Sequence, residues 1–178
     1  LIRPSCEDDL AAITAIYGHH VLHSTGTFET EPPGVTDMSA RRQDVLARGL
    51  PWLVMESADQ QVIGFAYCNW FKPRAAYRYS AEDSIYLHPN AAGQGLGRAL
   101  LAELASQAER AGVRKLIAVI GDSANAASVG LHQKLGFTPV GTISACGWKF
   151  NRWLDIVLME KVLGSGASQA PTNARPLS

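Results

Sequence analysis

The stretch HPNAAGQGLGRALL, from His88 to Leu101, decides how the rest of the chain is read. Gly93, Gly95 and Gly97 alternate with other residues, and an apolar helical pattern begins at once behind them. The five residues before His88 end on Ile85-Tyr86-Leu87, a strand-like run. A strand therefore ends, a glycine loop turns, and a helix starts. Glycines without Cβ atoms let backbone N–H groups converge, and a helix N-terminus adds partial positive charge. The combination predicts an anion site, most simply for phosphate, although a plain tight turn uses the same residues. Two well-known phosphate loops do not fit. A P-loop needs Lys-Ser/Thr after its last glycine, where this chain has Arg98-Ala99. A dinucleotide loop needs a third glycine where Leu100 stands, and it opens a strand–helix array rather than lying past mid-chain.

Outward from the loop, the helix is marked by Leu96, Leu100, Leu101, Leu104, Ala105 and Ala108 and stops near Ala111-Gly112. Lys115 to Ile120 reads as a strand, Asn125 to Leu135 as a helix stopped by Gly136, and Val140–Ala145 and Trp153–Met159 as two more strands. Before the loop, Ile2–Pro4 reads as an edge strand. Ser5 with an acid three residues on opens a helix carrying Leu10, Ile13, Ile16, Tyr17 and Val21. Ser24 to Val35 reads as loop, Thr36 to Gly49 as helix, and Trp52–Glu56 and Val62–Phe71 as a strand pair around a polar turn. Lys72 to Tyr79 is a basic, aromatic loop feeding the strand Glu82–Leu87. The fold expected is α/β, a mixed, largely antiparallel central sheet with helices on both faces. Residues 1–163 form one domain, and 164–178 read as a disordered tail.

Composition narrows the function. Of 178 residues, 47% are apolar, enough for a real core. Lys+Arg and Asp+Glu are equal at 16 each, without the basic excess of a nucleic-acid binder. No apolar run approaches a membrane span, and the opening Leu1-Ile2-Arg3-Pro4 is not a signal peptide. Cys6, Cys68 and Cys146 have no metal-type spacing. A cytoplasmic protein with reduced thiols, no metal, no nucleic acid and no membrane partner is expected.

Two blocks together carry a family resemblance. Gly93-Gln94-Gly95-Leu96-Gly97-Arg98 after a strand is similar to the acetyl-CoA pyrophosphate loop of the GCN5-related N-acetyltransferases (GNAT). Asn125-Ala126-Ala127-Ser128 through Leu131-His132-Gln133-Lys134-Leu135-Gly136-Phe137 resembles the second conserved block of that superfamily. Arg74–Leu87 and Gly147–Asp155 resemble its phosphinothricin / methionine sulfoximine (sulfone) acetyltransferases, and the likeness runs from about Ile2 to Leu163. One departure is Ala92, where the superfamily usually has Gln or Arg; one side-chain contact is lost, and lower CoA affinity is expected.

The resemblance implies a GNAT fold, acetyl-CoA as co-substrate, and acetylation of the α-amino group of a small amino-acid analogue. Acetyltransferases for other amino acids, amines or protein N-termini stay open, as does a non-catalytic acyl-CoA-binding module. It implies Ile85, Tyr86, Leu87, Gly93, Gln94, Gly95, Leu96, Gly97, Arg98, Asn125 and Ser128 for the co-substrate. For Asn125 the residues also allow simple helix capping. It implies Ala75, Ala76, Tyr77 and Arg78 for the substrate, with Phe28 as a further pocket wall. A guanidinium such as that of Arg78 can hold a carboxylate bidentately, while a solvated basic loop is the plainer reading. Glu82 takes the general-base position, against a surface carboxylate paired with Arg78 or Lys72. His132 is a general acid or proton relay, against a helix histidine that packs locally. Asp83 should point to the face opposite Glu82. His19, His20, His23 and His88 receive no role. Lys149 and Arg152 belong either to the substrate site or to a dimer contact, since relatives of this family are often homodimers.

Overall fold

The computed structural model describes residues 1–171. Seven strands form one sheet: β1 (Ile2–Pro4), β2 (Trp52–Glu56), β3 (Val62–Trp70), β4 (Ser80–Leu87), β5 (Lys115–Gly121), β6 (Thr138–Lys149) and β7 (Arg152–Val162). Four α-helices cover it: α1 (Leu10–His23), α2 (Val35–Ala47), α3 (Leu96–Arg110) and α4 (Ala126–Lys134). The strand order is β1-β2-β3-β4-β5-β7-β6. Every pair is antiparallel except β4 and β5. The expected mixed sheet with four helices is what the chain forms.

Strand alternation sorts the core onto two faces. Phe65 and Tyr86 turn toward α1, where Tyr17 meets both rings edge-on at centroid distances of 6.5 and 4.9 Å. Trp52 stacks on Tyr67 at 4.0 Å on the same face. Gly64 turns the other way, against Leu87 and Leu100. The helical spacing of Leu100, Leu101 and Leu104 puts all three in this core with no exposed surface. Full burial of each contributes about 1.5–3 kcal/mol relative to exposure.

Several boundaries differ from the sequence reading. The first helical turn opens one residue later, because the Cys6 N–H donates to Asp9 Oδ2 (2.7 Å) rather than Ser5 pairing with Asp8. β4 begins at Ser80, held by parallel pairing of Ser80 with Lys115. The α2 helix starts at Val35, with the Gly34 N–H donating to Asp37 Oδ2 (3.0 Å). β6 and β7 are longer than their apolar runs, because register shifts after Pro139 and Ile143 carry a single hairpin past polar positions.

Leu163 is buried, and residues 164–168 continue as turns, with Ser165 Oγ accepting from Arg114. Residues 172–178 of the expected tail lie outside the described residues. Among the described residues no helix is long and apolar enough to cross a membrane.

Candidate active site

The site begins where the sheet divides. β4 and β5 pair only from Ser80–Lys115 to Glu82–Ile117. Beyond Glu82, β4 keeps β3 as its sole partner while β5 continues against β7. The gap is a slot through the sheet, so groups from both faces border it. A cleft of about 930 Å³ follows this slot, with Ile85, Tyr86 and Leu87 on one wall and Ala118 to Gly121 on the other. The unpaired edge of β4 leaves backbone groups facing the cleft, ready to accept an extended amide-bearing chain as an added strand.

The glycine loop closes one end. Gly93 and Gly95 adopt φ +77° and +75°, the left-handed region that glycine occupies without cost. A Cβ at either would meet nothing within 4 Å, so conformation rather than space demands glycine there. Gly97 is different, since it lies buried against Leu131, Leu87 and Ile85. Gly95 is the N-cap of α3, and no side chain caps the helix. The amides of Leu96 and Gly97, at the start of a 15-residue helix, therefore stay open to an anion, while the Arg98 N–H donates to the Gly95 carbonyl (3.1 Å). Ala92, Gly93, Gly95, Gly97 and Arg98 line the cleft, while Gln94 donates to the Asn90 carbonyl (3.0 Å) and Leu96 packs on the core. An uncapped helix end joined to a long, partly apolar cleft suits a pyrophosphate with an amide-bearing arm, which is what acetyl-CoA presents. Asn125 and Ser128 line the opposite wall. Asn125 Oδ1 accepts from the Ser128 N–H (3.2 Å), so its side chain caps α4.

Glu82 lies at the fork itself and borders a second cavity of about 270 Å³, lined also by Arg41, Tyr67, Asn69, Trp70 and Ser84. It forms no ion pair with Arg78 or Lys72. Burial pushes its carboxyl above the ordinary value, the like charge of Asp83 adds to this, and Lys72 opposes it. Asp83 does point to the other face, and there it meets α4. His132 Nε2 stands 2.8 Å from Asp83 Oδ2, and His132 Nδ1 stands 2.8 Å from the Ser128 carbonyl. Burial works against a charged His132, yet the Asp83 carboxylate and the Ser128 carbonyl outweigh it and raise the imidazole pKa.

The substrate residues expected from sequence are dispersed. Ala75, Ala76 and Tyr77 form a short 3-10 turn, and none of them, nor Arg78, lines either cavity. Arg78 donates one N–H to the Ala75 carbonyl (3.1 Å) and lies over the Tyr79 ring, while its Nε is buried without a hydrogen-bond partner. The guanidinium that borders the small cavity with Glu82 is that of Arg41 of α2, which pairs bidentately with Glu29 (2.6 and 3.1 Å). Phe28 does line the main cleft, seated where Gly121 and Gly147 leave room for its ring.

Lys149 is buried, donating to the Ser24 and Thr27 carbonyls (2.8 Å each), and thereby pins the loop that carries Phe28. Arg152 donates to Asp122 (3.0 Å). Neither lines the cleft or the small cavity. His20, given no role from sequence, borders the cleft and donates from Nε2 to the Leu87 carbonyl (2.8 Å). Its partner is 67 residues away, and no local pattern announces such a contact. Among the described residues no group of three His, Cys, Asp or Glu side chains stands ready for a metal ion.

A divided sheet, an uncapped glycine turn at a helix start and a half-buried carboxylate at the fork suit an acyl-CoA-dependent transferase. Comparison with known proteins makes this specific. The Acetyltransferase (GNAT) family profile matches residues 17–137. The chain is 48% identical over 170 residues to the phosphinothricin N-acetyltransferase of Alcaligenes faecalis, covering 96% of this chain and 86% of that one. It is 38% identical over 167 residues to the L-methionine sulfoximine/L-methionine sulfone acetyltransferase of Salmonella typhimurium, covering 94% and 96%. The structure superposes with a TM-score of 0.95 on a GNAT phosphinothricin acetyltransferase from Sinorhizobium meliloti solved with acetyl-CoA, at 41% identity, covering 98% and 94%. The chain belongs to the GNAT family and is an N-acetyltransferase that uses acetyl-CoA.

Proposed function

We propose that the chain acetylates the α-amino group of a small amino-acid analogue by direct transfer from acetyl-CoA, with Glu82 as general base. Phosphinothricin, methionine sulfoximine and methionine sulfone are the acceptors that the named relatives suggest. The observation that carries the reading is Glu82, unpaired and raised, where the long cleft meets the small cavity. An ammonium must lose a proton before it attacks, and a carboxylate with an elevated pKa accepts that proton more readily. A cavity of about 270 Å³ suits a compact acceptor rather than a peptide chain.

In this reading acetyl-CoA lies along Ile85, Tyr86 and Leu87, its pyrophosphate on the Gly93–Arg98 turn and its arm passing Asn125 and Ser128. His132 serves the departing thiolate as acid or relay. The acceptor carboxylate goes to Arg41, whose free N–H groups remain beyond those given to Glu29, and Phe28 walls the acetyl end. The protein works as a homodimer through the β6–β7 hairpin. Val140, Ile143, Trp148, Phe150 and Trp153 all stand exposed there, Trp153 at 62%, and large apolar side chains gathered on one exposed hairpin suit an interface. Light scattering at assay concentration checks the dimer, and a monomer contradicts it.

The test of the function is thiol release from acetyl-CoA with methionine sulfoximine, phosphinothricin, methionine sulfone, plain methionine and a peptide N-terminus. Saturable release with the first three and little with the last two is expected. Release only with methionine or the peptide would replace the acceptor class. Tight acetyl-CoA binding with no release on any amine would leave a binding module.

A further inference from the structure

The contact between Asp83 and His132 has a proton count that follows from the atoms involved. His132 Nδ1 is 2.8 Å from the Ser128 carbonyl oxygen. A carbonyl has no proton to give, so Nδ1 must carry one. His132 Nε2 is 2.8 Å from Asp83 Oδ2. A bare ring nitrogen facing a bare carboxylate would set lone pair against lone pair. A second proton therefore lies between Nε2 and Oδ2, on either atom, and the pair as a whole is neutral. Burial points the same way. The two side chains are 3% and 1% exposed, and Asp83 Oδ1 is buried with no hydrogen-bond partner. An uncompensated carboxylate in that setting would be strongly disfavoured.

We propose that Asp83 is a positioning residue of the transfer reaction: with His132 it retains one shared proton in the wall of the acetyl-CoA cleft, fixing the tautomer and charge of the imidazole beside the reacting end. This rests on the catalytic reading of the cleft given above. The pair joins β4 to α4 and is backed by the Phe137 ring, which meets the imidazole edge-on at 4.8 Å.

The titratable groups around the pair leave the assignment to Asp83. Glu82 precedes it in β4, and the Cys68 thiol stands opposite it in β3. Arg98 of α3 and Lys134 of α4 border the same cleft, as do Tyr17, His20, Tyr67 and Tyr86 on its other side. β5 presents only Ala118, Val119, Ile120 and Gly121, and β7 only Ile156. None of these makes a hydrogen bond to His132 among the described residues. With the proton resident, the like charge that Asp83 sets beside Glu82 is partly offset. Its loss at high pH would leave an unneutralised carboxylate next to the base.

The test is nitrogen-15 NMR of the histidines together with the pH profile of kcat. In the wild-type protein at pH 7, His132 should show both ring nitrogens hydrogen-bonded, with Nε2 sharing or carrying a proton. Asp83→Asn keeps the shape and offers an amide N–H to a neutral Nε2, preserving the contact without the extra proton. His132 should then read at pH 7 as a neutral ring with an unprotonated Nε2, and the alkaline limb of kcat should move down by about one pH unit. A wild-type spectrum with a neutral ring and a bare Nε2 would overturn the shared proton without any variant. A spectrum that changes in Asp83→Asn while the kcat profile stays fixed would reduce the pair to a clamp between β4 and α4 and overturn the positioning role. The spectrum reports on the proton even if every proposed acceptor fails, so the two readings can fail separately.

Discussion

The two halves of the cleft are built by different means. The half proposed for acetyl-CoA is backbone: the unpaired edge of β4, the left-handed glycines 93 and 95, and the open amides of α3. The half proposed for the acceptor is side chain: Arg41 from α2, Tyr67 and Asn69 from β3, Glu82 from β4, and Phe28 from a loop held by Lys149. A backbone site is written in one contiguous stretch, because the turn that makes it must be locally encoded. A side-chain site is assembled from distant segments, and each contributes a residue that looks ordinary in its own neighbourhood.

Glu82 belongs to both halves, and its variant should have the largest effect. Glu82→Gln should lower kcat by about 10²–10⁴-fold while acetyl-CoA binding by calorimetry stays within twofold. A parallel loss of binding would mean that the carboxylate shapes the cleft rather than the chemistry. On the backbone side, Gly95→Val forces a β-branched residue into φ +75° at the start of α3. Such strain costs on the order of 1–2 kcal/mol. The variant should melt several degrees lower and bind acetyl-CoA at least tenfold more weakly, with the acceptor KM little changed.

The acceptor side is separated by a pair of variants. Arg41→Gln should raise the KM for amino-acid acceptors by about tenfold, the range of one charge-assisted contact, and leave the KM for acetyl-CoA alone. Arg78→Gln should change neither by more than about twofold. Reversed results would restore the loop of Ala75 to Arg78 as the substrate clamp.

The smallest effect concerns stability and pH. The folded His132 pKa is raised above its unfolded value. The stabilisation is therefore fully present below the unfolded pKa, about 6.5, and disappears as pH rises through the folded value. The melting-temperature difference between wild type and Asp83→Asn should narrow from pH 6 to pH 9. A difference independent of pH would mean that no proton is linked to the contact.

What was legible in the sequence follows the same division. All seven strands and four helices show in their periodicity, and the glycine turn shows in three residues. Alternation along β4 correctly set Asp83 opposite Glu82. It could not show that the strands part after Glu82, so that both residues border one slot. Arg41 carries no signal in its own stretch of sequence. Arg78, in a loop of aromatic and basic residues, reads as a clamp; in the structure it donates to the Ala75 carbonyl and borders neither cavity described above. Gly121 and Gly147 carried no signal either. Their purpose is set by the ring of Phe28, about 90–120 residues away in the chain, which a Cβ at either position would strike.

The account turns most directly on Glu82 as the base. The decisive measurement is the pH dependence of kcat/KM for methionine sulfoximine in wild type and Glu82→Gln. The account predicts a rising acid limb in wild type, set by a group above the ordinary carboxylate value because burial and Asp83 both raise Glu82. Activity should fall as pH drops through that value, and the limb should vanish in the variant, leaving only the titration of the amine itself. An identical limb and an undiminished rate in Glu82→Gln would contradict it.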